Sequence, residues 1–183
     1  MIIPIGIDNT IADFLTENHL QHLALPFDRV ITYGGVSNCI KDYFSAFIPQ
    51  VEGQTKTRQY NVAFPYDFKK GTFVSDIINY TKRINTFMGI LETCQEEIIF
   101  CRKSHSLGDC GVSVNDMTDA KELDRHLAAK YPQLKYKIYI FQVCTGCSMR
   151  TTSNRIFVYK MPEEQLSSYL SRLFLSSNPL GDT

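Results

Sequence analysis

The segment from residue 75 to residue 101 changes from one apolar periodicity to another, and this change restricts the fold more than any other feature. Apolar residues recur at steps of three and four from Ile77 to Leu91, which predicts an amphipathic helix capped by Ser75. The run Ile98-Ile99-Phe100 that follows is short and continuously apolar, which is typical of a strand buried on both faces. The pattern therefore predicts a helix and then an internal strand over residues 97–101.

Strand and helix patterns alternate along the rest of the chain. Strands are predicted at 2–7, 30–33, 136–141 and 155–160, and helices at 11–20, 40–47, 116–131 and 162–174. The stretches 49–58 and 144–154 lack apolar periodicity and are predicted to be loops. The alternation predicts one three-layer α/β domain over residues 1–175, with a central mixed β-sheet flanked by helices and a flexible tail at 176–183.

Composition excludes several classes of protein. The 19 basic residues balance 19 acidic ones, so the broad electrostatic attraction to nucleic acid is missing. No apolar run reaches the roughly 20 residues that cross a bilayer, so no transmembrane segment is expected. The six cysteines follow no secretory signal and are interpreted as reduced thiols or metal ligands, which predicts a cytoplasmic or other intracellular location.

The common motifs for phosphate binding, dinucleotide binding, metallohydrolases and serine hydrolases do not occur. The segment Cys101-Arg102-Lys103-Ser104-His105 places a thiol and an imidazole near a predicted strand end, where α/β sheets carry their sites. A solvated basic turn is the favoured interpretation of this segment. The alternative is a cysteine nucleophile, Cys101 or else Cys39, with His105 as its base.

Cys144-Thr145-Gly146-Cys147 has the spacing of a redox pair or of half a zinc site. Tetrahedral zinc needs two further ligands, for which His105 with Cys101 or Cys110 are candidates. Ordinary loop thiols are the favoured interpretation, so no cofactor is expected, and zinc bound at Cys144 and Cys147 remains the alternative.

Five short segments occur in an order that resembles a known family. They are Ile3 to Ala12, Pro26-Phe27-Asp28, Phe64 to Phe68, Tyr80 to Phe87, and Ile98 to Arg102. Together they resemble the DUF1796 family of papain-like cysteine peptidases over roughly residues 2–143. The resemblance implies a papain-like cysteine peptidase fold, in which Asp28 and Asp67 brace turns and Arg83 and Arg102 pair with carboxylates.

The residues that the family uses for catalysis are replaced. The resemblance places Asn9 at the position of the family cysteine and Tyr66 at the position of its histidine. Asparagine has no thiolate, and a tyrosine of ordinary pKa is a poor base at neutral pH. The resemblance thus implies a cleft that retains ligand-binding side chains, Asn9, Tyr66, Asp67 and Arg102, without the catalytic pair.

Three functions follow from these observations. The leading hypothesis is a non-catalytic, peptidase-like interaction or structural module with a protein partner, in one form an assembly or minor virion component of a large DNA virus. The second is an active cysteine hydrolase or transferase whose nucleophile has moved. The third is a small zinc-binding adaptor.

Overall fold

A computed structural model describes residues 1–6, 8–20, 23–32, 35–104, 114–144, 148–151 and 153–175. The strands within these ranges are β1 (Ile2–Pro4), β2 (Ile31–Thr32), β3 (Lys56–Thr57), β4 (Val62–Ala63), β5 (Ile98–Lys103), β6 (Tyr136–Val143), β7 (Ser148–Thr151) and β8 (Ile156–Met161). The helices are α1 (Thr10–Glu17), α2 (Val36–Lys41), α3 (Phe73–Thr93), α4 (Val114–Lys130) and α5 (Leu166–Phe174). The predicted tail at 176–183 lies outside the described residues.

The main sheet has five strands in the order β1-β5-β6-β8-β7. β1, β5, β6 and β8 are parallel, and β7 runs antiparallel to β8. The register places Ile3 beside Phe100, Phe100 beside Ile138, and Ile138 beside Ile156. A mixed sheet, as predicted, is confirmed, and the strands predicted at 136–141 and 155–160 lie side by side in it as β6 and β8.

Helices pack on both faces of this sheet. On one face Phe100 belongs to a cluster with Phe87 of α3 and Leu123 of α4. On the other face Cys101 belongs to a cluster with α1 and with Leu170 of α5. A central parallel strand that is covered on both sides needs apolar residues at successive positions, which explains the continuous apolar run. The three-layer α/β arrangement is confirmed.

The helix predicted at 40–47 ends at Lys41. Tyr43 and Phe44 have φ angles of +54° and +59°, in the left-handed region that a helix does not contain. Phe44 and Phe47 nevertheless reach the core, where their ring centroids lie 5.1 Å apart in an edge-to-face contact. The prediction was wrong because buried aromatic residues in consecutive turns produced the spacing of a helix.

Two of the predicted loops contain strands. The stretch 49–58 includes β3, which pairs with β4 in a small antiparallel sheet of order β2-β4-β3. The stretch 144–154 includes β7, where Met149 pairs with Tyr159. An edge strand is covered less than a central one, and the Met149 side chain is 56% exposed. Neither strand therefore carries the apolar pattern on which the sequence prediction depended.

The start of α3 also differs from the prediction, since the helix begins at Phe73, ahead of Ser75. Asp76 Oδ2 accepts hydrogen bonds of 2.7 Å from the Phe68 N–H and from Thr72 Oγ1. Ser75 Oγ donates to the carbonyl of Thr72 and caps nothing. The carboxylate of Asp76 thus joins the first turn of α3 to the preceding loop.

Arg102 and Lys103 continue β5, so the interpretation of this segment as a solvated basic turn was wrong. Arg102 is 2% exposed, and its Nε donates to Asp116 Oδ1 at 2.6 Å. Nη1 donates to the carbonyl of Ile5 and to Thr32 Oγ1, and Nη2 donates to the carbonyl of Thr32. The expected pairing of Arg102 with a carboxylate is confirmed, and the guanidinium links β1, β2, β5 and α4.

Lys103 points to the opposite face of the sheet, since successive strand residues alternate. Its Nζ lies 3.1 Å from Asp8 Oδ2 and 2.6 Å from Glu163 Oε1. Partial burial acts to raise the pKa of Asp8, but hydrogen bonds from Thr10 and the charge of Lys103 outweigh burial and hold the pKa below its usual range. The ion pair therefore stabilises the fold while Asp8 is ionised.

Replacing Asp8 with Asn should lower the free energy of unfolding at neutral pH by at most about 1 kcal/mol, because the pair is partly exposed. A group whose folded pKa is depressed contributes stability above its unfolded pKa, and that stability is lost as the pH falls through the folded value. Urea unfolding of both proteins should show their difference begin to shrink near about pH 4 and vanish once the pH is below the folded pKa of Asp8. A difference that persists in acid would show that Asp8 acts through its hydrogen bonds and not through its charge.

Candidate functional site

A cavity of about 600 Å³ opens along one face of α1. One wall is a single face of this helix, because its lining residues are spaced by three and four positions: Asn9, Ala12, Asp13 and Thr16. The opposite residues of α1, among them Phe14 and Leu15, pack into the core and hold the helix against the sheet. The wall is therefore rigidly supported from behind.

The other wall comes from three separate parts of the chain. Leu23, Ala24, Asp28 and Arg29 belong to the segment between α1 and β2, Tyr66 follows β4, and Arg83 lies on α3. Asp28 Oδ2 accepts a 2.8 Å hydrogen bond from the backbone N–H of Leu25, which closes a turn in the first of these parts. The role expected of Asp28, bracing a turn, is confirmed.

Asn9 precedes α1 but does not cap it. Asp8 Oδ1 accepts the N–H of Thr10 at 2.9 Å, whereas the Asn9 side chain makes no capping hydrogen bond. The Asn9 carbonyl accepts the N–H of Asp13 and so begins the helical hydrogen bonds. Capping by the neighbouring aspartate leaves the amide of Asn9 available to the cavity.

Each arginine of the cavity lies over a tyrosine ring. The Arg29 guanidinium carbon is 5.3 Å from the centroid of Tyr66, and that of Arg83 is 4.8 Å from the centroid of Tyr80. Such contacts hold a guanidinium in place without using its N–H donors. Arg83 was expected to pair with a carboxylate, but within the part of the chain that the structure describes it stacks on Tyr80 instead.

Asp67 acts on the cavity through Tyr80, the residue on which Arg83 stacks. Tyr80 Oη donates a 2.8 Å hydrogen bond to Asp67 Oδ2. Burial raises the pKa of Tyr80, and the charge of Asp67 raises it further, so the phenol stays protonated and remains a donor. Asp67 fixes Tyr80, and Tyr80 fixes the guanidinium of Arg83, which reaches the cavity.

The four residues predicted to bind a ligand do not all line the cavity: Asn9, Tyr66, Asp67 and Arg102. Asn9 and Tyr66, which are far apart in sequence, line the same cavity, and Tyr66 is 51% exposed. Asp67 acts on the cavity indirectly, through Tyr80 and then Arg83. Arg102 belongs to the buried ion pair described above, where its donors are directed to Asp116, to Thr32 and to backbone carbonyls, and it does not line this cavity.

The structure does not favour either described candidate for a relocated nucleophile. The side chains of Cys39 and Cys101 are fully buried. Burial is the main cause that raises the pKa of both thiols, and nearby Asp119 adds to the effect at Cys39. A nucleophilic cysteine needs an accessible thiolate, which these environments disfavour. His105, the proposed base, lies outside the described residues.

The described residues contain no group of three or more His, Cys, Asp and Glu side chains placed to hold a metal ion. Cys144 lies half-buried after β6, and its N–H donates to the carbonyl of Met161. Cys147, Cys110 and His105 are outside the described part of the chain. The zinc site with Cys144 and Cys147 therefore remains a prediction.

Sequence reasoning did not select Arg29 or Thr16, although both line the cavity. Arg29 follows the segment Pro26-Phe27-Asp28, and its φ of +63° is uncommon for a residue with a side chain.

Compared with protein-family models, with curated proteins and with solved structures, the chain gives no match. Among the described helices, none combines the length and the apolar character needed to cross a membrane.

Proposed function

We propose that this chain is a non-catalytic binding module, similar to papain-like cysteine peptidases of the DUF1796 type, whose cavity holds a peptide segment of a protein partner. The observation that carries the proposal is the meeting of Asn9 and Tyr66 in one cavity. The family resemblance pairs these two positions, and the folded chain brings them to the same place. Neither an amide nor a phenol replaces the thiol and the imidazole that the family uses for catalysis.

The walls of the cavity suit a peptide. The amide of Asn9 can bond to main-chain groups, and the hydroxyl of Thr16, which donates to the carbonyl of Ala12, can accept a hydrogen bond from a main-chain N–H. Leu23, Ala12 and the Tyr66 ring offer apolar contact. The volume of about 600 Å³ is in the range of small-ligand sites, which corresponds to a few residues of a peptide. Service as an assembly or minor virion component is a specific form of this function and remains a prediction.

Affinity selection from a mixture of short synthetic peptides with free carboxyl termini tests the proposal. Thr16 lines the cavity and is exposed, so Thr16→Trp should fill the cavity without disturbing the core, and selection should fail. Glu17→Trp is the matched control, because this neighbouring residue is also exposed and lies outside the lining. Equal peptide recovery with Thr16→Trp and with the wild type would contradict the proposal.

A separate experiment tests whether Cys39 or Cys101 is a relocated nucleophile. Brief treatment of the native protein with limiting iodoacetamide should modify Cys39 and Cys101 about a hundredfold or more slowly than in urea, since reaction requires local opening of the core. Half-buried Cys94 provides the internal comparison. Preferential modification of Cys39 or Cys101 in the folded protein would favour the cysteine enzyme instead.

A further inference from the structure

Two arginines line the cavity, Arg29 and Arg83, and no carboxylate of the described residues accepts a hydrogen bond from either. Elsewhere in the described part of the chain arginines do pair with carboxylates, as Arg102 does with Asp116 and Arg155 with Asp124. Among the described residues, Arg29 and Arg83 have no carboxylate partner, although Asp13 and Asp28 line the same cavity. Nη1 of Arg83 is buried and has no hydrogen-bond partner within the described part of the chain.

An uncompensated guanidinium in a partly buried place is costly unless something accepts its hydrogen bonds. Stacking on Tyr80, which Asp67 holds, fixes Arg83 before any ligand arrives. A donor that is already ordered loses little entropy when it binds, and this favours affinity. Arg29 is more exposed and lies over Tyr66 at the mouth of the cavity.

We infer that Arg29 and Arg83 form a carboxylate-binding subsite of this cavity. The inference rests on the proposed function and adds the chemistry of the group that is recognised: a carboxylate of the bound peptide. Guanidinium groups bind carboxylates through paired N–H donors, and such charge-assisted hydrogen bonds are among the strongest in proteins.

The acidic residues of the lining keep the net formal charge of the cavity near zero, which favours a ligand group of low negative charge over a dianion. Asp13 and Asp28 offset the formal charge of the two arginines, so a dianionic phosphate would meet repulsion that a carboxylate meets only in part. Two sources supply the same group to a peptide-binding site: a terminal carboxylate and the side chain of Asp or Glu.

NMR titration with three small probes tests the inference and separates these sources. N-acetylphenylalanine carries a terminal carboxylate, N-acetylphenylalanine amide is neutral, and N-acetylglutamate α-amide carries a side-chain carboxylate. The first probe, the third or both should give saturable shifts of the Arg29 and Arg83 Nε–H signals, and the neutral amide should bind at least about tenfold more weakly. Binding by the first alone would assign the site to peptide termini, and binding by the third alone to acidic side chains.

Substitutions complete the test. Arg83→Gln should weaken binding of the carboxylate probes by about tenfold or more, and Arg29→Gln, at an exposed position that should not affect folding, should also weaken it. Arg58→Gln removes the same charge from an exposed arginine outside the lining and should change nothing. Failure of every carboxylate probe, or equal binding of the neutral amide, would overturn the inference.

The two proposals fail in different ways. If the neutral amide binds as tightly as the acid and Thr16→Trp abolishes both, the cavity is a binding site without a carboxylate preference. The proposed function then stands and only the arginine subsite is wrong. If Arg29→Gln and Arg83→Gln both leave binding of the acid unchanged, the subsite is likewise excluded, and peptide selection against Thr16→Trp still decides the function.

Discussion

Replacing Arg102 with Met should lower the free energy of unfolding by about 3–5 kcal/mol, the cost of leaving one partner of a buried ion pair without the other. The carboxylate of Asp116 is 1% exposed and would lose its charged donor. The carbonyls of Ile5 and Thr32 would lose donors as well. Because a domain is commonly stable by only about 5–15 kcal/mol, equilibrium urea unfolding should show a large fall in the midpoint.

Two further variants identify the cause of this loss. Arg125 is 76% exposed and pairs with Glu122 on the surface of α4, so Arg125→Met should cost less than about 1 kcal/mol. Adding Asp116→Leu to Arg102→Met removes the buried carboxylate that has lost the Arg102 guanidinium and should recover part of the lost stability. A small effect of Arg102→Met alone would mean that other donors around Asp116, among them Ser104 Oγ, which donates to Asp116 Oδ2 at 2.8 Å, compensate for the lost guanidinium.

The double variant Asn9→Cys with Tyr66→His should create a reactive thiol. The introduced thiol would stand at the N-terminus of α1, and the introduced imidazole would share its cavity. Both surroundings lower a cysteine pKa from about 8.5 into the range of about 3.5–7.5. A lower pKa raises the thiolate fraction at about pH 6 more than it reduces nucleophilicity, so alkylation should be about tenfold faster than for an ordinary thiol.

The matched comparison is Asn9→Cys with Tyr66→Phe, which keeps the thiol, the helix and an aromatic ring but has no imidazole. Alkylation by iodoacetamide is followed across pH, and peptide mapping separates the introduced site from the native cysteines. The histidine variant should show a reactivity profile displaced to lower pH. Identical profiles would show that positions 9 and 66 share a cavity without approaching closely enough to form a pair.

The layered α/β fold could be predicted from the local apolar patterns of the sequence. The helical spacing from Ile77 to Leu91 predicted α3, and the continuous apolar run that begins at Ile98 predicted β5. Both predictions succeeded because apolar periodicity reports directly which faces of an element are covered. The same reasoning identified α1, α4 and β6 and the mixed sheet. Elements that are weakly covered on one side, such as β7, carry no such pattern and were missed.

The sequence by itself determined which segments form layers, whereas the pairing of positions 9 and 66 was a prediction from the proposed resemblance alone. Only the tertiary structure decided the surroundings of the charged residues. Arg102 and Arg83 look alike in sequence, yet one is buried against Asp116 and the other stacks on Tyr80 beside a cavity. Periodicity encodes the face on which a side chain lies, whereas the partner of a charge is set by residues that are distant in sequence and close in space.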